Sequence, residues 1–310
     1  MNRFILLQII ISLRPLQWMK NLSVFAAILF SGDLLNQGLF WPVFASFWIF
    51  VILSSGMYLI NDVIDIENDK LHPYKKYRPL ARGLLSRKTA LIIAAGLTLL
   101  GLYLSYTLSF NFFIIALAFV LLQVTYNLIL KYIILLDIIT IAIGFMLRIF
   151  AGSIVVLVPL SSWLILTTMM LSLLLAVGKR RSELTLLTIK LAGKHRKTLY
   201  YYPTKLLDGI TFMMGSATLI TYSLFTFNEL EIQSKEFIVS YLPQTLASPK
   251  WLMATIPLVV YGIFRYLLLI FEAKGEDSPE KILVKDLPLA ITVLLWLASV
   301  LVIIYALPLQ

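Results

Sequence analysis

Apolar residues run along this chain in long blocks, not in the narrow stripes of a soluble amphipathic helix. Nine windows near 20 residues carry almost no charge: 18–36, 41–60, 89–108, 111–130, 133–157, 162–178, 208–227, 250–270 and 287–306. A helix of about 20 residues matches roughly 30 Å of hydrocarbon. The pattern therefore predicts an all-α, polytopic membrane bundle of about nine transmembrane helices, organised as one domain over 1–310. No internal repeat or low-complexity stretch divides it. Gly32 and Asp33 interrupt the first window. The apolar run 4–13 is too short to span, meets Arg14 and Pro15, and has no small-residue cleavage site. It reads as an interfacial helix or a short lead-in to the first span, not as a signal peptide.

Composition agrees with the pattern. Hydrophobic residues make up 60% of the chain and charged residues 14%, against about 45–50% and 25% in soluble domains. Mean hydropathy is +0.91. Such a chain cannot cover a water-facing surface, which excludes a plain cytosolic enzyme and a disordered protein. With no cysteine and two histidines, His72 and His195, a disulfide framework, a thiol nucleophile and a His-rich metal site are excluded as well.

The net charge of +10 changes the picture through its placement. With the N-terminus inside, 22 of the 26 Lys and Arg residues fall on one side of the predicted bundle, Lys235 and Lys250 on the other, and Arg148 and Arg265 within spans. This bias predicts that the basic side is cytoplasmic. In a membrane protein the excess charge need not imply nucleic acid; it sets topology, attracts headgroups or binds phosphorylated substrates. Two connections dominate that side. Segment 61–88 holds seven basic and four acidic residues, and segment 179–205 holds eight basic residues and one acid, Glu183.

The most informative string begins where the second span meets the cytoplasm. Asp62, Asp65 and Asp69 are spaced i, i+3, i+7, Asn61 stands one turn before Asp65, and Tyr58 one turn earlier still. On a helix these share one stripe. Three carboxylates and a carboxamide on one face repel unless a cation lies among them. An oxygen-only donor set suits Mg2+, which keeps waters and accepts phosphate oxygens. The plainer alternative is a solvated acidic helix end balanced by Lys70, Lys75 and Lys76. Position at a membrane span, where ionisable groups are costly, favours the metal–diphosphate reading. Lys75, Lys76, Arg78 and Arg82 follow at once, as inside-positive decoration or as a basic lid over phosphates, with Arg78 as fork donor.

Other polar groups lie at membrane depth. Lys20, beside Trp18, is either an interfacial anchor or a phosphate ligand. Asp137, Thr140, Gly144, Arg148 and Gly152 keep near one face of the fifth span and should point inward. Asp137 and Arg148 are too far apart along a helix, about 16 Å, to pair directly. Arg148 therefore needs a structural partner or a substrate. Span six ends in Gly178, Lys179, Arg180, Arg181, Ser182 and Glu183, a cationic cluster at the depth where a lipid-linked phosphate sits. Lys179 and Glu183 are placed to hold each other. Ser278 and Pro279 suit a helix start. No P-loop, G-x-G-x-x-G, G-x-S-x-G or H-E-x-x-H motif is present.

These strings resemble the UbiA-type intramembrane prenyltransferase superfamily over nearly the whole chain. The resemblance rests on RPLQWMKN (14–21), NDVIDIENDKLHPYKKYRPLARG (61–83), YNLILK (126–131) followed by LDIITIAIGFMLRIFAG (136–152), GKRRSE (178–183) and SPEKILVKD (278–286), in that order. It is similar to the branch that moves phosphoribose from phosphoribosyl pyrophosphate (PRPP) to a polyprenyl phosphate. It departs from the aromatic prenyltransferases, whose second Asp-rich motif is replaced here by GKRRSE. The resemblance implies a Mg2+-dependent transferase of the bacterial inner membrane, active on its cytoplasmic face and serving cell-wall precursor supply. It implies Asp62, Asp65 and Asp69 as catalytic carboxylates, with Asn61 and Asp65 as metal ligands. Lys20, Tyr58, Lys75, Arg78 and Tyr126 would bind PRPP, and Lys131, Arg148, Lys179 and Arg180 the lipid phosphate. An aromatic or quinone-type prenyltransferase using a prenyl diphosphate, and a lipid-phosphate transporter, are the alternatives.

Overall fold

A computed structural model describes residues 3–72, 74–190, 202–228, 250–272 and 279–306. Among them there is no β-strand, and eight helices are long and apolar enough to cross a membrane. The polytopic all-α expectation holds. Chain contacts divide the protein into two compact units. One comprises Met1–Ala26, Trp41–Leu157 and Leu187–Pro203; the other comprises Ala27–Phe40, Val158–Leu186 and Thr204–Gln310.

The first predicted span takes a different form. Helix α1 (Arg3–Ser12) is followed by a 3-10 helix over Pro15–Phe25 and a five-residue helix α2 (Ala26–Phe30). No long α-helix covers 18–36. Gly32, at φ +85°, supplies the turn that stops it. A 3-10 helix rises about 2 Å per residue, so this short segment reaches further than the same residues in an α-helix. Phe4, Leu7 and Ile11 of α1 are exposed while its polar Gln8 and Ser12 are buried. Apolar side chains facing out and polar ones facing in is the pattern of a helix whose outer face does not meet water.

In the first unit, α3 (Gln37–Ile64), α5 (Arg87–Leu108), α6 (Phe110–Leu128) and α7 (Leu136–Val156) form the frame, with a short α4 (Ile66–Leu71) extending α3. Small residues set the spacing. A Cβ on Gly101 would sit 2.6 Å from the Leu53 side chain, and one on Gly152 only 1.8 Å from the Val24 carbonyl oxygen. A core of Leu59, Ile66, Leu80, Leu85, Ala90 and Ala94 joins α3, α4 and α5 to the polar connection between them. Leu80 and Leu85 thereby pin residues 74–86, and Ser86 caps α5 by accepting from the Thr89 amide at 3.1 Å. The inward stripe expected on the fifth span is seen on α7: Asp137, Thr140, Gly144, Arg148 and Gly152 are all buried.

In the second unit are α8 (Ser162–Lys190), α9 (Thr204–Asn228), a 3-10 turn Trp251–Thr255 leading into α10 (Ile256–Phe271), α11 (Pro279–Lys285) and α12 (Leu287–Leu301). Pro279 does open a helix, as expected; Ser278 lies outside the described residues. Asp286 caps α12 by accepting from the Leu289 amide at 2.9 Å, and its carboxylate also takes a two-pronged bond from Arg265. Tyr222 hydroxyl links Thr255 and Trp296 at 2.6 and 2.7 Å.

The Gly152 contact gives a direct test of this packing. Gly152→Ala should lower stability by about 1–3 kcal/mol through overpacking, read as a lowered thermal midpoint in detergent. Gly96→Ala, where nothing stands within 4 Å, should not lower it. Equal midpoints for the two variants would contradict the close approach.

Candidate active site

The acidic string lies at the end of α3, and its geometry is not that of one unbroken helix. The α-helix stops at Ile64, Asp65 adopts φ −93° and ψ 8°, and α4 resumes at Ile66. The hydrogen-bond ladder nevertheless continues through the step. The Asp65 amide donates to Asn61 at 2.9 Å and the Asp69 amide to Asp65 at 2.8 Å. Asp62, Asp65 and Asp69 therefore stay on one face despite the step.

Burial separates the four acids of this string into two kinds. Glu67 has a side chain 69% exposed and is paired with Lys70 and Arg87 at 3.1 and 2.7 Å. Those contacts hold its carboxyl below the ordinary value, the Lys70 hydrogen bond most of all. This is the solvated helix end of the plainer reading. Asp62, Asp65 and Asp69 are only 1%, 3% and 4% exposed. A buried carboxylate needs a counter-charge, and each finds one from outside its own helix. Asp62 accepts from Arg14 and, at 3.0 Å, from Arg78; Asp69 accepts from the same Arg78 nitrogen at 2.6 Å; Asp65 accepts from Lys131 at 2.8 Å.

The three cations come from three elements. Arg14 precedes the 3-10 helix in a left-handed conformation (φ 56°), and its guanidinium lies 5.1 Å from the centre of the Tyr58 ring. Arg78 leaves the connection just before the buried Leu80 anchor. Lys131, with its side chain wholly buried, is on the 3-10 turn Leu130–Tyr132 after α6. Arg14 was not among the expected site residues. Its sequence signal was present but ambiguous: a lone Arg before Pro15 also fits an interfacial anchor.

The electrostatics are unbalanced at one point. Burial is the largest influence on Asp69 and raises its carboxyl above the ordinary value despite the Arg78 guanidinium; the neighbouring Asp62 charge works in the same direction as burial. A further cation beside Asp69 would favour the ionised form. The donors Asn61, Asp62, Asp65 and Asp69 are all hard oxygens, a chemistry that fits Mg2+. Among the described residues no three acidic or imidazole side chains converge as a ready cage. One or two carboxylates with water and substrate oxygens are the usual Mg2+ arrangement.

The other expected residues divide between the two units. Tyr58, Lys20, Lys75 and Tyr126 are half-buried in the first unit. His72 is turned inward, its Nδ1 accepting from the Tyr74 and Lys75 amides at 3.2 Å, which shapes the start of the basic connection. Arg148 is buried and donates to Asn21 and to the Gly144 carbonyl, both at 2.8 Å. Asp137 accepts from Tyr202 hydroxyl at 2.6 Å, and that oxygen in turn accepts from the Leu135 amide at 2.6 Å. Lys179 and Arg180 belong to the second unit. There Arg180 donates to buried Glu183 at 2.6 Å, and Arg181 to Asp208 at 2.5 Å with its guanidinium over Phe271. His195 lies outside the described residues.

Among the described residues, eight helices long and apolar enough to cross a membrane, and buried carboxylates paired with Arg and Lys at the end of one of them, mark a multi-span membrane protein with a buried charged cluster. The UbiA prenyltransferase family profile matches residues 22–285, and the chain belongs to that family. It is 31% identical to decaprenyl-phosphate phosphoribosyltransferase of Mycolicibacterium smegmatis, over 95% of this chain and 91% of that protein. It is equally 31% identical to the Corynebacterium glutamicum protein of the same name, over 96% and 86%. Among solved structures it is similar to a UbiA homologue from Archaeoglobus fulgidus bound to GPP and Mg2+, at 18% identity and a TM-score of 0.65, covering 96% of this chain and 99% of that one.

The Lys131–Asp65 pair makes a measurable prediction. Lys131→Met leaves the Asp65 carboxylate buried without its ammonium partner and should cost about 3–5 kcal/mol. Adding Asp65→Asn to the same chain should recover most of that loss in the unfolding midpoint. Simple additivity of the two changes would mean that the pair is not coupled.

Proposed function

We propose that this protein transfers 5-phosphoribose from PRPP to a polyprenyl phosphate of decaprenyl type, giving polyprenylphosphoryl-5-phosphoribose and pyrophosphate. The observation that carries the reading is the interleaving of Asp62, Asp65 and Asp69 with Arg14, Arg78 and Lys131. A donor that carries both a diphosphate and a 5-phosphate needs fixed positive charge as well as metal-binding carboxylate, and this site supplies both. Near-full-length similarity to the phosphoribosyltransferases named above supports the choice of donor.

Mg2+, bound by Asn61 and Asp65 with Asp62 and Asp69 in support, would neutralise charge on the departing diphosphate. Arg78, Lys75, Lys20, Tyr58 and Tyr126 position PRPP. Arg78 also keeps Asp62 and Asp69 side by side until substrate arrives. Lys131, Lys179 and Arg180 hold the lipid phosphate. A phosphate oxygen of the lipid attacks the anomeric carbon, the bond to the diphosphate breaks, and the centre inverts. The attacking oxygen is already anionic near neutral pH, so the chemistry needs no strong general base. The site accordingly draws on carboxylates and cations, and the buried His72 is spent on a turn. The excess of basic residues on one side supports a multi-pass bacterial inner-membrane protein with this site facing the cytoplasm.

An aromatic prenyltransferase reading is weaker, because α8 carries Lys179, Arg180 and Arg181 where a second acidic motif would be needed. A single assay tests the proposal: purified protein, Mg2+, labelled PRPP and polyprenyl phosphate. Magnesium-dependent label in the lipid phase is expected. Transfer from a prenyl diphosphate to an aromatic acid, with PRPP inert, would replace the reading. Asp65→Asn should abolish turnover in a protein that still elutes as a folded species; retained activity would remove the metal assignment. Lys179→Gln should raise the KM for polyprenyl phosphate and spare that for PRPP; equal changes would reject the division of basic residues.

A further inference from the structure

One charged residue at membrane depth is committed to the protein's own backbone and side chains. Arg148 is buried on α7, its guanidinium 4.7 Å from the Phe119 ring centre and 5.5 Å from that of Phe145. Nε donates to Asn21 Oδ1 and Nη1 to the Gly144 carbonyl. Two donors on one rigid plane are what distinguish Arg from Lys here. Asn21 is fully buried on the 3-10 helix and passes the connection onward, donating from Nδ2 to Ser54 Oγ at 3.2 Å. One turn further along both elements, the Val24 carbonyl rests against Gly152. The 3-10 helix is thus fastened to α7 at two points.

The same 3-10 segment runs along α3 toward the acidic site. Asn21 meets Ser54, Trp18 Nε1 donates to Ser55 at 3.1 Å, and Arg14 lies over Tyr58 and bonds Asp62. Descending numbers on one element meet ascending numbers on the other, so a slip of the segment moves Arg14 relative to Asp62. We infer that Arg148 is a positioning residue: through Asn21 it holds the 3-10 segment in register with α3, which sets Arg14 on Asp62. This differs from a role as a direct ligand of the lipid phosphate. An ionisable group inside a membrane is expensive and tends to be functional. Here its use is an internal strut between α7 and the segment that carries Arg14.

The inference rests on the reading of Asp62 as part of the PRPP site, and the test separates the two. Steady-state KM values for PRPP and for polyprenyl phosphate are measured in the wild type, Asn21→Leu, Arg148→Met and Asn21→Asp. Hydrogen exchange of the amides in 15–26 and 61–69 is followed in the same proteins. Asn21→Leu leaves Arg148 in place, so a role of Arg148 as a phosphate ligand alone predicts no effect. It should raise the PRPP KM about tenfold, as small misplacements of a binding group do, with the polyprenyl phosphate KM unchanged. Arg148→Met should copy it. Asn21→Asp, which keeps the acceptor for Arg148 and loses only the donor to Ser54, should recover most of the wild-type behaviour. Exchange in 15–26 should quicken in the first two variants and not in the third, while α12 keeps its protection. A rise in polyprenyl phosphate KM alone for Arg148→Met, equal rises in both KM values, or unaltered exchange in Asn21→Leu would each overturn the inference. Should wild-type protein leave PRPP untouched, the proposed function falls, and the exchange data still decide whether Arg148 fastens the segment.

Discussion

Three carboxylates buried at the end of an apolar helix are the constraint around which the first unit is organised. A carboxylate removed from water and left alone costs several kcal/mol, and Asp62, Asp65 and Asp69 are each nearly inaccessible. Each is paired with a cation from another element. Arg14 arrives from the 3-10 segment, Arg78 from the polar connection after α4, and Lys131 from the turn after α6. The apolar core exists in part to deliver these charges: Leu80 and Leu85 pin the connection that bears Arg78, and Gly152 lets the 3-10 segment lie against α7.

That arrangement also explains how a site of this kind stays folded and ready. Ion pairs hold the carboxylates together before any substrate is present. The balance is incomplete at Asp69, where burial outweighs the guanidinium beside it. The proposed donor would bring both charges that such a site can exchange, a metal for the carboxylates and phosphate for the arginines and lysines. In the second unit, by contrast, the cluster on α8 is dominated by basic residues, with Glu183 and Asp208 as its acids. A site for a bare lipid phosphate needs cations and no escorting metal, which is why the proposed function puts that ligand there.

Much of this was legible in the linear pattern. Long apolar blocks specify spanning helices because a membrane offers the backbone no hydrogen bonds except its own. The i, i+3, i+7 acids announced a shared face, and that face survives the break at Asp65 because the amide ladder runs through it. The small and polar stripe on α7 pointed inward as its period required. Arg78 stood out because it follows the acids closely and precedes a turn.

Periodicity reports which face of one element is buried; it carries no information about what lies across from that face. The sequence alone therefore determined the membrane class, the spans from the second onward, and the shared face of the acidic stripe. Only the tertiary structure decided that the first window is a 3-10 segment, that Arg14 reaches Asp62, and that Tyr202 meets Asp137. Arg148 and Asn21 stand 127 positions apart, and their pairing depends on how closely Gly152 lets two backbones approach. Partners at such separation are selected by packing, through distances that no local spacing encodes.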